Sequence, residues 1–161
     1  MTELPSLLGA LESQQVQFIV VGGMAGIAHG SARVTFDLDC VYARDAGNVA
    51  RLVRALAPLK PALRGAPPGL PFRFDAVSVL HGLNFTLDSS AGPIDLFGEI
   101  AGGGSYEDLL PHTMELRVFG RSCRVVTLAK LIALKRAAGR PKDLEAIAEL
   151  EAIAESGPVD G

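Results

Sequence analysis

The sequence predicts an α/β (α+β) chain built on one mixed β-sheet with flanking helices, closed by two C-terminal helices. Three observations carry this. Short β-branched runs alternate with helical-period stretches up to residue 56. Strand-like segments then crowd together between residues 72 and 126. The chain finishes with two stretches of apolar residues at helical spacing, separated by Gly139-Arg140-Pro141. Consecutive strands and helices of this kind pack as layers around one core. A length of 161 residues suits a single domain, residues 1–161.

The elements follow in order. Leu4, Leu7, Leu8 and Leu11 recur at helical spacing, which predicts a helix over 5–14. "VQFIVV" reads as a buried strand; Gly22-Gly23 ends it and opens a small-residue helix from Met24 to His29. "LDCVYA" is a second strand. Asp45 is placed to cap a helix running to about Leu56. "PLKPALRGAPPGLP", with five prolines and two glycines, predicts a surface loop at about 58–71. Phe72–Phe74, Leu83–Leu87 and Pro93–Phe97 are strand-like, with "DSSAG" as a hairpin turn. "AGGGSYEDLLP" predicts a glycine-rich loop with one helical turn, and "MELRVFGRSCRVVT" two strands joined at Gly120-Arg121. Thr127 caps a helix that Gly139 stops, and Pro141 begins the last helix, to about Ala154.

Bulk properties exclude several function classes. The net charge of −3 gives no basic field for nucleic acid, so such a partner needs a local patch. Arg117, Arg121 and Arg124 are the candidate patch for an acidic partner such as tRNA, against the commoner reading of solvated strand arginines. The N-terminal segment carries Glu3 and Glu12 without Lys or Arg and does not read as a signal peptide. The longest apolar run, Phe18–Ala28, is too short to span a bilayer. Cys40 and Cys123 lie far apart and outside any C-x-x-C, so neither a disulfide framework nor a zinc site is expected. A reduced, cytoplasmic protein with no membrane partner is the expectation.

The chemistry concentrates in "VVGGMAGIAHGSARVTFDLDC", Val20–Cys40. In a strand, Asp37 and Asp39 point to one side, and two adjacent carboxylates repel unless a cation or proton lies between them. Mg²⁺ favours such oxygen ligands. A third carboxylate would complete a two-metal site, and Asp95, a charge embedded between Ile94 and Leu96, is the candidate. Glycine at a strand-to-helix turn lets backbone N–H groups approach a phosphate, so Gly22 and Gly23 are candidate phosphate contacts. Arg33 and Thr35 lie between the two features as a phosphate contact and an orienting hydroxyl. A lone Gly-Gly or a lone D-x-D is weak evidence; their conjunction with an embedded third Asp is stronger.

These residues resemble the nucleotidyltransferase superfamily of the polymerase-β type. Its signature is hydrophobic-G-[GS], about ten to thirteen residues, D-x-[DE], then a later hydrophobic-Asp-hydrophobic. "GG.A...HG..R.T.D.D" is similar to bacterial nucleotidyltransferase-like proteins related to abortive-infection toxins, and so are "IDLFGEIAGGGSYEDLL" and "TLAKLIALKRAAGRPKDLEAIAEL". The resemblance implies metal ligation and catalysis by Asp37, Asp39 and Asp95. It implies nucleotide contact at Gly22, Gly23 and Met24. It also implies two Mg²⁺ ions, with Mn²⁺ as a substitute, and transfer of a nucleoside monophosphate from an NTP such as ATP to a hydroxyl. The acceptor is left open among tRNA or other RNA, a protein and a small molecule, and a cognate toxin or antitoxin partner is an expectation of the same kind. Active members often carry Ser after the first glycine or after the pair; here Met24 stands after the pair. The rival reading is a non-catalytic nucleotide-binding or interaction protein of the same fold.

Lys135 lies on the apolar face formed by Leu128, Leu131 and Ile132. Two readings stand: a structural pair with Asp143, or a border of the nucleotide or acceptor site shared with Arg140. Lys130 is expected in solvent. His29 is expected to hydrogen-bond the Asp-bearing loop rather than to act in catalysis, and His81 and His112 carry no motif.

Overall fold

The computed structural model describes residues 3–67 and 69–157. Helix α1 (Leu4–Ser13) buries all four leucines of its stripe. Strand β1 (Phe18–Val21) runs directly into α2 (Gly22–Ala28). Strand β2 (Leu38–Tyr42) and helix α3 (Ala46–Leu56) follow, with the Asp45 side chain accepting from Asn48 N–H as the helix cap. The stripe of Val49, Leu52, Ala55 and Leu56 faces the core. Asn48 is fully buried beside it. Its side chain accepts from Gln17 N–H at 2.7 Å and donates to the carbonyls of Gln17 (3.1 Å) and Ala43 (2.7 Å). These bonds tie α3 to the chain entering β1 and leaving β2, and they satisfy a buried amide that would otherwise be costly.

The proline-rich stretch is more structured than its composition suggests. It contains a 3-10 turn (Ala57–Leu59) and a short strand, β3 (Ala62–Leu63), which pairs antiparallel with β4 (Asn84–Asp88). Pro68 lies outside the described residues. Phe72–Phe74 is not a strand. Those rings sit half-buried against the core, and Asp75 caps a short helix, α4 (Ala76–His81), that the strand-like composition concealed. Strand β5 (Ile94–Phe97) completes the hairpin. A two-stranded ribbon of β6 (Glu99–Ile100) and β7 (Gly104–Ser105) leads into α5 (Tyr106–Leu109), closed by a Ser105/Asp108 capping box. The hairpin β8 (Thr113–Val118) and β9 (Arg121–Val126) turns at Phe119-Gly120. Helix α6 (Leu128–Ala138) is capped by Thr127 and ends at left-handed Gly139, and α7 (Pro141–Glu155) packs on it.

The seven-stranded sheet has the order β3-β4-β5-β2-β1-β9-β8. β2 is antiparallel to β1 and parallel to β5. That combination puts the end of β1 and the starts of β2 and β5 side by side. Leu38, Cys40, Ile94 and Leu96 are wholly buried on one face of this junction, so Asp39 and Asp95, one residue out of phase, share the other. Among the described residues no helix is long and apolar enough to cross a membrane.

Candidate active site

Asp39 and Asp95 are direct partners in the β2/β5 register, and Val21 is the partner of Asp39 on its other side. Asp37 lies one residue before β2, at a bend rather than within a strand. All three carboxylates nevertheless converge: each offers one oxygen, and these lie within 4.8 Å of one another. Asp39 Oδ1 and Asp95 Oδ1 are buried without a hydrogen-bond partner. Burial, then the neighbouring Asp37 and Asp95, push the Asp39 carboxyl up to about 7; Lys135 pulls it the other way. Like charges held together in this way are relieved by a cation or a proton between them. The donor set, three carboxylates and no sulfur or imidazole, suits a hard divalent ion such as Mg²⁺ or Mn²⁺.

Gly22 adopts φ +65°, and a side chain there would collide with Asp39 Oδ2. The backbone at the strand–helix junction therefore approaches the carboxylates as closely as only glycine permits. At Gly23 a Cβ would lie 2.8 Å from Thr35 Oγ1, so the Thr35 hydroxyl occupies the space beside the turn. No side chain caps α2. The Met24 side chain is 1% exposed and belongs to the core, which leaves its backbone N–H as the group for the expected nucleotide contact. A residue pointing into a helix–sheet interface is chosen for packing, and methionine fills such gaps well.

Two adjoining hollows meet at Gly22, Asp39, Lys135, Arg140 and Asp143. One is polar, lined by Gly23, Ser31, Arg33, Thr35, Asp37, Lys142 and Glu149. The other, about 200 Å³, has apolar walls from Phe97, Ile100, Leu131, Leu134 and Ala138. Lys135 borders both. Its ammonium lies 3.8 Å from Asp143 Oδ1, and its side chain is 15% exposed. Burial lowers its pKa, opposed by Asp143 and Asp39. The two expected roles of Lys135 are thus not exclusive. Asp143 does not depend on it: Arg140 donates to both carboxylate oxygens, Nε to Oδ2 at 2.7 Å and Nη2 to Oδ1 at 3.2 Å, and its backbone N–H adds a third bond.

Three contacts carried no signal in the sequence. Glu149 of α7 accepts from Ser31 Oγ (2.6 Å) and Ala32 N–H (3.1 Å) and lies 3.7 Å from Arg33, fastening the loop before Asp37. Arg64, from the proline-rich stretch, brings Nη2 to 2.9 Å from Asp95 Oδ1. His29 Nε2 donates to Val126 O at 2.7 Å, holding α2 to β9 instead of the Asp-bearing loop. The arginines of the far hairpin are spoken for. Arg121 pairs with Glu12, Arg124 with Glu115, and Arg117 donates to Gly120 O. Both cysteines are free and buried.

The mixed sheet and its flanking helices match the fold of solved nucleotidyltransferases. The lincomycin-bound lincosamide antibiotic adenylyltransferase LnuA superposes with a TM-score of 0.62 at 16% identity, covering 94% of this chain and 96% of that one. ANT(2")-Ia in complex with adenylyl-2"-tobramycin gives 0.56 at 13% identity, over 95% and 93%. An antigenic nucleotidyltransferase-like protein from Paracoccidioides brasiliensis gives 0.54 at 15% identity, over 99% and 77%. At these identities the likeness is one of fold. No protein-family model and no curated protein matches the sequence.

Proposed function

We infer that the protein is a divalent-metal-dependent nucleotidyltransferase that moves a nucleoside monophosphate from an NTP to a hydroxyl of a small-molecule acceptor. The observation that carries the reading is the convergence of Asp37, Asp39 and Asp95, with Asp39 Oδ1 buried and unpartnered. Asp37, Asp39 and Asp95 would hold the ion or ions. Bound there, Mg²⁺ neutralises phosphate charge and lowers the pKa of a coordinated hydroxyl. The chain's own contribution is positioning. The Gly22-Gly23 backbone admits a phosphate against the carboxylates, and Lys135 and Lys142, with Arg33 and Arg140 beside Glu149 and Asp143, are the cations that would meet an incoming triphosphate. Thr35 Oγ1, beside Gly23, supplies the hydroxyl that a serine after the first glycine would bring. Asp95 would serve the acceptor hydroxyl as general base or as metal ligand.

A small-molecule acceptor is favoured over RNA for two reasons. Of the hairpin arginines, Arg121 and Arg124 are matched by Glu12 and Glu115, and Arg117 donates to Gly120 O. The apolar-walled hollow of about 200 Å³ beside Asp39 suits part of a compact, weakly charged molecule. Two of the similar structures are of an adenylyltransferase with lincomycin and a protein with adenylyl-tobramycin, which is consistent with this choice.

The test is incubation with Mg²⁺, each labelled NTP and a panel of hydroxylated small molecules, with an RNA pool in parallel. Label transfer to a small molecule, lost in Asp39→Asn, is the expected result. Nucleotide binding without transfer to any acceptor would favour the non-catalytic rival.

A further inference from the structure

The geometry points to Arg64 as an internal counter-cation of Asp95, which limits the nucleotide-free protein to one tightly bound divalent ion. The inference rests on the metal site proposed above and adds a residue to it.

Arg64 directly follows β3, and its backbone N–H donates to Thr86 O at 3.0 Å. Thr86 is the β4 partner of Asp95, so the register delivers the Arg64 side chain beside the third carboxylate. The guanidinium is fixed on three sides. Nη2 donates to Leu87 O at 2.7 Å, Nε donates to Asp88 Oδ1 at 3.2 Å, and Nη2 stands 2.9 Å from Asp95 Oδ1. The strand pairing already has its own backbone rungs, Ala62 with Asp88 and Leu63 with Leu87, and does not need the guanidinium to hold it. What the guanidinium adds is charge, delivered to an oxygen that makes no hydrogen bond.

Charge balance gives this a consequence. Around Asp37, Asp39 and Asp95, Arg64 is shared with Asp88, and Lys135 and Arg140 are shared with Asp143. One divalent ion at Asp37 and Asp39 neutralises what remains. A second ion at Asp95 would sit against a guanidinium in a half-buried site, where like charges repel strongly. Arg64 therefore holds the place of the second ion until a polyanionic nucleotide changes the balance.

The experiment is a Mn²⁺ titration of the full, nucleotide-free chain, reading free Mn²⁺ by its electron paramagnetic resonance. Wild type, Arg64→Gln and Arg64→Lys are compared, each checked for folding by thermal melting. Wild type and Arg64→Lys should bind one tight ion. Arg64→Gln should gain a second ion or bind about tenfold more tightly, as loss of a nearby unit charge predicts. A Gln isotherm that superimposes on wild type overturns the proposal, as does a Lys variant that departs as far as Gln. Two equally tight ions in wild type overturn it without any variant. If neither wild type nor Arg64→Gln binds Mn²⁺, the carboxylate site itself fails and this proposal with it, an outcome distinct from unchanged binding.

Discussion

Asp39 and Asp143 line the same hollow, and both are drawn out of water, yet their surroundings pull in opposite directions. Asp143, 2% exposed, is met by the Arg140 fork, a backbone N–H and the Lys135 ammonium. Burial works against its charge, but the Arg140 bonds outweigh it and hold the carboxyl below the ordinary range. Asp39 is met chiefly by other carboxylates, and burial, then Asp37 and Asp95, push its pKa up to about 7. One group arrives with its partners supplied by the same helix terminus. The other is left short of them by the chain. In the function proposed above, a ligand completes the second arrangement, and the contrast separates the carboxylate that builds the hollow from those that would bind in it.

The sharpest break in this comparison is Asp39→Asn. It should cut transfer by about a thousandfold or more and abolish stabilisation by Mg²⁺, because it removes a central ligand. The metal-free variant should melt no lower than wild type, since repulsion with Asp37 and Asp95 is relieved. A melting scan with and without Mg²⁺ checks this, and a large loss of metal-free stability would contradict it.

Arg140→Ala should do the reverse, with its main effect on folding. It strands a buried carboxylate with Lys135 as its remaining cation, at a cost of about 3 kcal/mol. Denaturant unfolding measures it; a loss below about 0.5 kcal/mol would mean that Lys135 and the helix cap suffice.

The pH dependence should separate the two groups by sign. The raised Asp39 pKa favours the fold fully only below its ordinary 3.8, and this contribution is lost as pH rises toward about 7. The lowered Asp143 pKa favours the fold above its ordinary 3.8 and is lost as pH falls through its folded value. The stability of Asp39→Asn relative to wild type should therefore grow from pH 4 to pH 7, measured without metal, whereas Asp143→Asn should fall further behind wild type as pH rises from about 3 to 5. Divalent ions compete with the Asp39 proton, so their affinity should rise over the interval up to about pH 7.

The smallest stability effect should come from Lys135→Met. Because Arg140 already satisfies Asp143, the change should cost under about 1 kcal/mol in folding. Nucleotide affinity should fall about tenfold, read by calorimetry, as expected for one lost phosphate contact in a half-buried site. Unchanged affinity would remove Lys135 from the nucleotide's path.

Much of this was legible along the chain. The leucine stripe of α1, the Asp45 and Thr127 caps, the Gly139 stop and the Gly120 turn are local features, each set by a few neighbouring residues, and each stands where the pattern puts it. Asp39 and Asp95 could be singled out because each is a charge set in an apolar strand. Local pattern failed where distant packing decided. Phe72–Phe74 read as a strand because aromatics favour strands, but Asp75 starts a helix and the rings turn to the core. Nothing local showed that the Met24 side chain, which follows the glycine pair, turns into the core.

By itself the sequence determined where the turns, caps and buried strands lie and which carboxylates are out of place in them, since these depend on short-range sterics and the period of apolar residues. Only the tertiary structure decided that parallel pairing of β2 with β5 sets Asp95 beside Asp39, that α7 sends Glu149 to the loop before Asp37, and that a proline-rich stretch pairs at the sheet edge and delivers Arg64. The physical reason is that register and strand order are fixed by how whole faces bury against one another, and contacts between residues far apart in the chain leave no period in it to read.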